Sequence, residues 1–251
     1  MPLSGGAAYT VPDAESGTPA PETEEAMPRD ETLWFVIAAY NEGPMIAEVV
    51  RGVTPHARVV VVDDGSVDDT GDQALAGGAC VATHLVNRGQ GAALQTGIDF
   101  ALSQGAAHVV TFDADGQHNV DEALEMVARC RAEGLDAVLG SRFLGTTVNM
   151  PALRRLVIKA AVIFTRITTG LKLTDAHNGL RVLSQDAARK IRIHQDRMAH
   201  ASEILSQIAR LGLNWREHPV TITYSEYSLA KGQKLSNSVR ILEDILFGGR
   251  S

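Results

Sequence analysis

Short apolar runs alternate with stretches of helical periodicity over residues 33–140, and this alternation constrains the fold more than any other feature. Between the first two runs, for example, Ile46, Val49 and Val53 fall on one face of a helix. Strands separated by helices connect through right-handed crossovers, so we predict an α/β fold with a mostly parallel central sheet and helices on both of its faces. The predicted strands are LWFVIA (33–38), RVVVVDD (58–64), CVATHLV (80–86), AHVVTFD (107–113) and DAVLG (136–140).

The alternation ends after Gly145, where the segment 151–169 predicts an amphipathic helix with a basic margin. Its apolar stripe fits two placements, either against the protein core or in a bilayer interface with the basic side chains at the headgroups. Lys159 and Arg166 interrupt the apolar run, so the sequence predicts no membrane-spanning helix. Further helices over 186–191 and 201–212, a strand over 215–224 and a last helix from Ser236 are predicted as well.

Composition divides the chain into three parts. Residues 1–30 are rich in Gly, Ala, Thr, Pro and Glu, which predicts a disordered N-terminal extension without a secretion signal. Residues 31–230 form the predicted functional domain, and 231–251 a C-terminal loop and amphipathic helix that pack on the domain or on a membrane. The net charge of -7 argues against nucleic acid as a partner. Two isolated cysteines fit a cytoplasmic protein, with peripheral attachment to the cytoplasmic membrane face if the helix 151–169 lies in the interface.

Polar clusters follow the first four predicted strands, where ligands bind in open α/β sheets. Asp, Asn, Gly and Ser also dominate ordinary turns, so each cluster alone is weak, but their recurrence at one edge predicts a binding site. The clusters are AAYNE (38–42), VDDGS (62–66), NRGQGAA (87–93) and DADGQH (113–118).

The fourth cluster is the one that points to a metal ion. Asp113 and Asp115 lie two residues apart in an extended segment, so their carboxylates point the same way and repel one another unless a cation lies between them. Few hard oxygen ligands suit Mg²⁺ or Mn²⁺ that takes its remaining ligands from substrate phosphates. The alternative is that Asp113 caps the next helix while Asp115 makes a turn.

Together with GSR (140–142) and DAHNGLRVLS (175–184), the four clusters resemble in order and spacing the family-2 glycosyltransferases. The resemblance covers about residues 33–247 and extends to the dolichol-phosphate mannosyltransferase-like branch, which includes polyprenyl-phosphate sugar transferases. It implies a three-layer, Rossmann-like nucleotide-diphospho-sugar transferase fold of the GT-A type. Ala38 departs from the family pattern, which usually has proline there, and we expect only a change in loop stiffness.

The resemblance implies a donor side built at the four clusters. Glu42 would accept hydrogen bonds from ribose hydroxyls, and Asp63 or Asp64 from the base, although one of these two aspartates could instead make a turn. Gln117 would lie beside the metal, which Asp113 and Asp115 would bind. The implied nucleotide-sugar ligands are Ala39, Tyr40, Glu42, Asp63, Asp64, Asn87, Gly91, Asp113 and Asp115.

On the acceptor side, the resemblance implies that Arg181 holds a phosphate and that Arg142 meets the departing diphosphate. A phosphate acceptor is already anionic and needs no strong base, whereas a hydroxyl acceptor would need one, with Asp175 or Glu203 as candidates. The implied acceptor ligands are Arg142, Arg154, Asp175, Gly179 and Arg181, and the implied catalytic residues are Asp115, Asp175, Arg142 and Glu203.

The implied reaction is an inverting, metal-dependent transfer of a hexose from a GDP- or UDP-linked sugar to a polyprenyl phosphate, at a membrane surface or beside a membrane-protein partner. An acceptor hydroxyl on a cell-surface polysaccharide or glycolipid is the alternative. A phosphohydrolase with an aspartate nucleophile ranks low, because D-x-D-G follows the fourth strand and not the first. A calcium-binding loop fails, because its sixth and twelfth positions counted from Asp113 are His118 and Leu124.

Overall fold

The structure, a computed structural model, describes residues 7–10, 29–148, 150, 152–197 and 199–223. The strands within these ranges are β1 (Ala7–Thr10), β2 (Asp30–Ala39), β3 (Ala57–Asp63), β4 (Cys80–His84), β5 (His108–Asp113), β6 (Ala137–Val148), β7 (Arg181–Ser184) and β8 (Trp215–Thr223). The helices are α1 (Gly43–Val53), α2 (Thr70–Ala76), α3 (Gln90–Ser103), α4 (Val120–Ala132), α5 (Ala152–Thr169), α6 (Gln185–Lys190) and α7 (His200–Arg210).

The described strands form one sheet in the order β1-β4-β3-β2-β5-β7-β6-β8. The pairs β4–β3, β3–β2, β2–β5 and β6–β8 are parallel, which confirms the predicted α/β class with a mostly parallel core. Strand β7 was not predicted, and it pairs antiparallel with both β5 and β6, placing Thr111 opposite Arg181. The carboxyl ends of β2, β3, β4 and β5 therefore meet at one edge of the sheet, next to the start of β7.

Helices cover both faces of the sheet because the central strands are apolar on both sides. On one face, Ile37 packs in a cluster with Ile46 of α1 and Met126 of α4. On the other face, Val36 packs in a cluster with residues of α3, α5 and α7, among them Ile98. The residues of this core are almost fully buried.

The predicted disordered extension does not hold for its whole length. Ala7–Thr10 form β1, which pairs antiparallel with β4, and Asp30 begins β2. An edge strand such as β4 presents unpaired backbone donors and acceptors, and a short extended segment satisfies them. The predicted C-terminal loop and helix over 231–251 lie outside the described residues.

Helix α5 has two apolar faces. Ile158, Ala161 and Val162 are buried against the sheet, whereas Leu156, Ile163 and Ile167 on the opposite side expose 66%, 59% and 78% of their surface. Among the described helices, α5 included, there is none whose length and hydropathy suit a membrane span.

Candidate active site

The loops after β2 and β3 are fastened to one another. The backbone N–H of Asn41 donates to Ser66 Oγ at 2.9 Å, the N–H of Val67 donates to Asn41 Oδ1 at 3.0 Å, and the N–H of Glu42 donates to Thr70 Oγ1 at 2.8 Å. Asn41 takes a φ of 53°, in the left-handed region that asparagine tolerates better than most residues. These bonds fix the turn that leads from β2 into α1, where the predicted ligands Ala39, Tyr40 and Glu42 lie.

The two adjacent aspartates after β3 have different surroundings. Asp64 accepts from His84 Nδ1 at 2.7 Å and from the backbone N–H groups of Arg88 and Gly89 at 3.0 and 2.6 Å. Its carboxylate thus fastens the loop after β4, and the contact of Asp63 or Asp64 with the nucleotide base stays a prediction. Asp63 accepts from the backbone N–H of Ser66 at 2.9 Å and is also buried.

The two glycines after β4 leave room for the backbone of the segment 194–197. A Cβ on Gly89 would overlap the carbonyl oxygen of Asp196, and one on Gly91 would overlap that of Gln195. The N–H of Gly91 donates to Asp196 O at 2.8 Å, so this carbonyl caps the N-terminus of α3. We predicted that Gly91 lets the backbone approach the nucleotide, and the structure shows the segment 194–197 in that place. Asn87 is exposed beside it.

Glu203 holds the segment 194–197 in position. Its carboxylate accepts from the backbone N–H of His194 at 3.0 Å and from that of Gln195 at 2.9 Å. The predicted catalytic residue Glu203 therefore acts here as an anchor for a backbone segment.

Asp113 is held from three directions at the end of β5. His118 Nε2 lies 2.8 Å from its Oδ2, and Gln90 Nε2 at the start of α3 donates to its Oδ1 at 3.4 Å. A Cβ on Gly179 would overlap the carboxylate, so the predicted acceptor residue Gly179 makes room for Asp113. Burial raises the pKa of Asp113, but the hydrogen bond from His118 and the charge of Arg181 outweigh it, and the pKa lies below its usual value.

Asp115 carries the opposite shift. Burial, and after it the charge of Asp113, raise the pKa of Asp115 to about 6, and the charge of Glu42 adds to the effect. The charges of Asp113 and Glu42 therefore both act on Asp115, and the repulsion between the two aspartates favours a cation between them. The backbone N–H of Gln117 donates to Asp115 Oδ1 at 3.1 Å, which makes the turn after the pair.

This donor set fits a divalent cation that shares its coordination with a substrate. Among the described residues, no three His, Cys, Asp or Glu side chains cluster as a complete metal site. Two close carboxylates, of which Asp115 has a raised pKa, are what Mg²⁺ or Mn²⁺ binds when phosphate oxygens and water supply the other ligands. His118 Nε2 already contacts Asp113, so His118 positions a carboxylate here.

Arg142 and Asp175 form a buried ion pair. Arg142 Nε lies 2.6 Å from Asp175 Oδ2, Arg142 Nη2 donates to the carbonyl oxygen of His177 at 2.6 Å, and the N–H of His177 donates to Asp175 Oδ1 at 3.2 Å. Glu217 accepts from the N–H groups of Thr174 and Asp175. We predicted that Arg142 meets a phosphate and that Asp175 contacts the acceptor. In the structure the two residues hold each other and shape the loop ahead of β7.

Arg181 has a contrasting environment at the start of β7. It is buried, with 3% of its surface exposed, yet in the described part of the chain its guanidinium makes no hydrogen bond or ion pair. Burial lowers the pKa of Arg181, the charges of Asp113 and Asp175 raise it, and guanidinium stays charged at any physiological pH. On the same loop, Asn178 Nδ2 is buried and has no hydrogen-bond partner among the described residues. These unpaired donors suit an anion.

Sequence reasoning missed His200, the first residue of α7. It is buried and packs against Gly91, and burial followed by the charge of Arg181 lowers its pKa to about 4. No spacing rule marks a single histidine at a helix start, so the sequence held no signal for it. The side chain of Arg154, a predicted acceptor ligand, is outside the described part of α5.

Comparison with known proteins gives a consistent result. The sequence model described as glycosyl transferase family 2 matches residues 34–192. The chain is 31% identical to a polyprenol monophosphomannose synthase of Mycolicibacterium smegmatis, covering 81% of this chain and 82% of the relative. It is 29% identical to a UDP-N-acetylglucosamine--dolichyl-phosphate N-acetylglucosaminyltransferase of Methanococcus voltae, covering 86% of this chain and 96% of the relative.

Solved structures resemble the fold. Glucosyl-3-phosphoglycerate synthase from Mycobacterium tuberculosis, in complex with Mn²⁺, UDP and glucosyl-3-phosphoglycerate, superposes with a TM-score of 0.66 at 20% identity, covering 87% of this chain and 79% of that one. The predicted nucleotide-diphospho-sugar transferase architecture of the GT-A type is confirmed by this match. With an α/β sheet of this order, an acidic pair at the end of β5 and a family match over more than half of the chain, the protein belongs to glycosyltransferase family 2.

Proposed function

We propose that this enzyme transfers a hexose from a nucleotide-diphospho-sugar to a polyprenyl phosphate, with inversion at the anomeric carbon. Asp113 and Asp115 would hold a Mg²⁺ or Mn²⁺ ion, which when bound supplies positive charge for the diphosphate leaving group. Relatives named for dolichyl-phosphate and polyprenol-phosphate transfer support the acceptor class. Either UDP or GDP donors fit the residues described.

The observation that carries the proposal is the buried guanidinium of Arg181, which lies near the charge of Asp113 and makes no hydrogen bond or ion pair with the described residues. A buried cation without a partner is costly unless an anion meets it. Arg181 presents planar donors that match two phosphate oxygens. Since Asp113 belongs to the donor side, an anion at Arg181 lies close to where the sugar leaves its diphosphate, as an attacking phosphate must.

The contacts of the two predicted bases favour a phosphate over a hydroxyl acceptor. The carboxylate of Asp175 pairs with buried Arg142, and that of Glu203 binds two backbone amides. Both carboxylates are thus already bound by groups of the protein. An ionised phosphate attacks without losing a proton and needs neither of them.

A membrane contact through α5 completes the proposal, because a polyprenyl phosphate is anchored in a bilayer. The exposed apolar stripe of Leu156, Ile163 and Ile167 is flanked on one side by Arg155 and Lys159, an arrangement that suits the interface of an anionic membrane. Helix α5 follows β6, which pairs parallel to β8 and runs in the same direction as β5. The first turn of α5 therefore lies at the edge of the sheet that carries the candidate active site.

Transfer assays test the proposal. Purified protein is incubated with UDP- or GDP-linked hexoses, Mn²⁺ and an undecaprenyl or dolichyl phosphate in detergent, and glycolipid is separated from unreacted donor. We expect metal-dependent transfer that Arg181→Gln lowers about 100-fold or more, as removal of a charge-stabilising donor does. Asp115→Asn should abolish the metal-dependent transfer.

Arg189→Gln is the matched control, because Arg189 is an exposed arginine on α6. It should transfer sugar at the wild-type rate. Exclusive use of a water-soluble saccharide as acceptor would refute the proposed acceptor class, and full activity of Arg181→Gln would refute the role of the buried guanidinium.

A further inference from the structure

We infer that His200 binds a hydroxyl group of the sugar being transferred and accepts its hydrogen bond on Nε2. The inference rests on the proposed function, because it needs a glycosyl donor at Asp113 and Asp115. It assigns a sugar contact to a residue that neither the sequence motifs nor the predicted base positions include.

The tautomer of His200 follows from the hydrogen bond that its ring makes with the backbone. Nδ1 lies 2.7 Å from the carbonyl oxygen of Arg197. A carbonyl oxygen only accepts, so Nδ1 carries the proton, and in the neutral ring Nε2 is left with a lone pair. In the part of the chain that the structure describes, this second nitrogen makes no hydrogen bond.

The ring is neutral and lies close to the charged groups of the site. Burial, and after it the charge of Arg181, bring the pKa of His200 to about 4, while Asp113 acts in the opposite direction. His200 packs against Gly91, and the preceding residue, Gln90, donates to Asp113 Oδ1 at 3.4 Å. The imidazole therefore lies beside the residue that holds the donor-side carboxylate.

The position of His200 and the lone pair on its Nε2 together indicate which group it binds. A phosphate oxygen and the lone pair of Nε2 would repel one another, whereas a hydroxyl group donates a hydrogen bond to it. Between the diphosphate near Asp113 and the acceptor anion near Arg181 lies the sugar, which carries hydroxyl groups. Nε2 makes no hydrogen bond within the described residues, and His200 is only 3% exposed, so a hydroxyl group that donates to Nε2 is bound in preference to a group that cannot donate.

The segment 194–197 keeps the ring in place. The N–H of His200 donates to Arg197 O at 3.1 Å, and Glu203 anchors the preceding residues His194 and Gln195. A Cβ on Gly91 would lie 2.9 Å from His200 Cβ, so the glycine at the start of α3 leaves the room that the histidine needs.

The test pairs substitutions at His200 with monodeoxy analogues of the donor that the wild-type enzyme uses best. We expect His200→Leu to lower kcat/KM for the full sugar about 10- to 100-fold, the range for an unpaired buried polar group. His200→Gln, which offers an amide oxygen as acceptor, should recover part of this loss. One of the deoxy donors should lower the kcat/KM of the wild type by the same factor as the His200→Leu substitution does. The same deoxy donor should not lower the kcat/KM of His200→Leu any further.

Several readouts keep the outcome clear. Affinity for the free nucleoside diphosphate should stay unchanged in both variants, thermal melting should show that they fold, and His56→Gln serves as an exposed histidine control. Equal losses from every deoxy donor in wild type and His200→Leu would overturn the inference, as would a His200→Gln variant no better than His200→Leu. Donor hydrolysis reports on His200 without any lipid, so failure of the proposed acceptor is seen separately.

Discussion

The carboxylate of Asp113 owes its position to residues far apart in the chain. His118 comes from the next turn, Gln90 from the start of α3, and Gly179 from the loop before β7. Thr111 Oγ1 also donates to the carbonyl oxygen of Gly179 at 2.6 Å, which presses this loop onto β5. A metal ligand fixed in this way needs little reorganisation when a cation binds.

Gly179→Ala should weaken cation binding. The new Cβ would overlap the carboxylate of Asp113 and displace it, and changes that misplace a ligand typically cost about 10- to 100-fold in metal affinity. Titration of Mn²⁺ followed by electron paramagnetic resonance, with nucleoside diphosphate present, measures the effect. Thr111→Val removes the neighbouring hydrogen bond without adding bulk and should melt earlier while binding Mn²⁺ normally. Wild-type Mn²⁺ affinity in Gly179→Ala would contradict this account of the glycine.

Asp115 should make the metal-free protein less stable as pH rises. Its folded pKa of about 6 lies above the unfolded value of 3.8, so the folded state prefers the protonated form. The stability associated with this group is fully present below pH 3.8 and is lost as pH rises through 6. Asp115→Asn removes the charge, so we expect it to raise the free energy of unfolding by about 1–3 kcal/mol at pH 7 and by little near pH 4.

Urea unfolding of the metal-free protein at both pH values checks this expectation. Glu48→Gln removes a fully solvated carboxylate from α1 and should change stability at neither pH. A destabilising effect of Asp115→Asn at pH 7 would show that the two aspartates do not repel each other as described.

At the scale of elements, the segment 194–197 and the N-terminus of α3 form one unit. Gly89 and Gly91 leave space for two carbonyl groups, one of these carbonyls caps α3, and Glu203 of α7 holds the segment from its other side. Because Gln90 of α3 reaches Asp113, this unit extends to the acidic pair.

Gly91→Ala should therefore be strongly destabilising despite lying in a helix. Alanine normally stabilises a helix interior by about 0.5–1 kcal/mol, but at this position its Cβ would overlap Gln195 O. We expect a loss of about 1–3 kcal/mol in chemical unfolding, as for other overpacked sites. Gly52→Ala, in α1 with only Val120 nearby, should be neutral or stabilising. If both variants were stabilised alike, the segment 194–197 would not lie against α3.

Periodicity predicted most elements because each strand and helix has a local signature. Strand β7 has none, since its four residues gain strand character only by pairing between β5 and β6. The same reason explains the site: motifs predicted which loops carry chemistry, but the partners of Asp64, Gly91 and Glu203 lie far along the chain. Polar residues assigned to a ligand by resemblance were bound by backbone amides and neighbouring side chains that spacing cannot show.

At the scale of the whole molecule, a net charge of -7 opposes contact with anionic membranes. Helix α5 is a local exception, because Arg155, Lys159 and Arg166 are exposed along it beside the apolar stripe. The molecule should therefore approach a bilayer in one orientation, with this helix toward the lipid.

The double variant Ile163→Ser/Ile167→Ser should lower binding to vesicles of phosphatidylglycerol by at least about tenfold, because each buried isoleucine contributes about 1.5–3 kcal/mol. Sedimentation with vesicles at low and high salt measures it, and salt should weaken wild-type binding as well. Leu211→Ser removes an exposed leucine, 40% accessible, from the end of α7 and is the matched control. Unchanged sedimentation of the double variant would remove the bilayer contact from the proposal.

The close contact between Gly179 and the carboxylate of Asp113 also links the binding of the acceptor to the binding of the cation. A molecule whose binding shifts the loop 175–181 changes the affinity for the cation by some factor. The cation must change the affinity for that molecule by the same factor. An acceptor that draws this loop closer to Asp113 would thus tighten the binding of the cation that the donor diphosphate shares. Before the acceptor binds, the diphosphate of the sugar nucleotide would be less polarised, and hydrolysis of the donor by water would be slower.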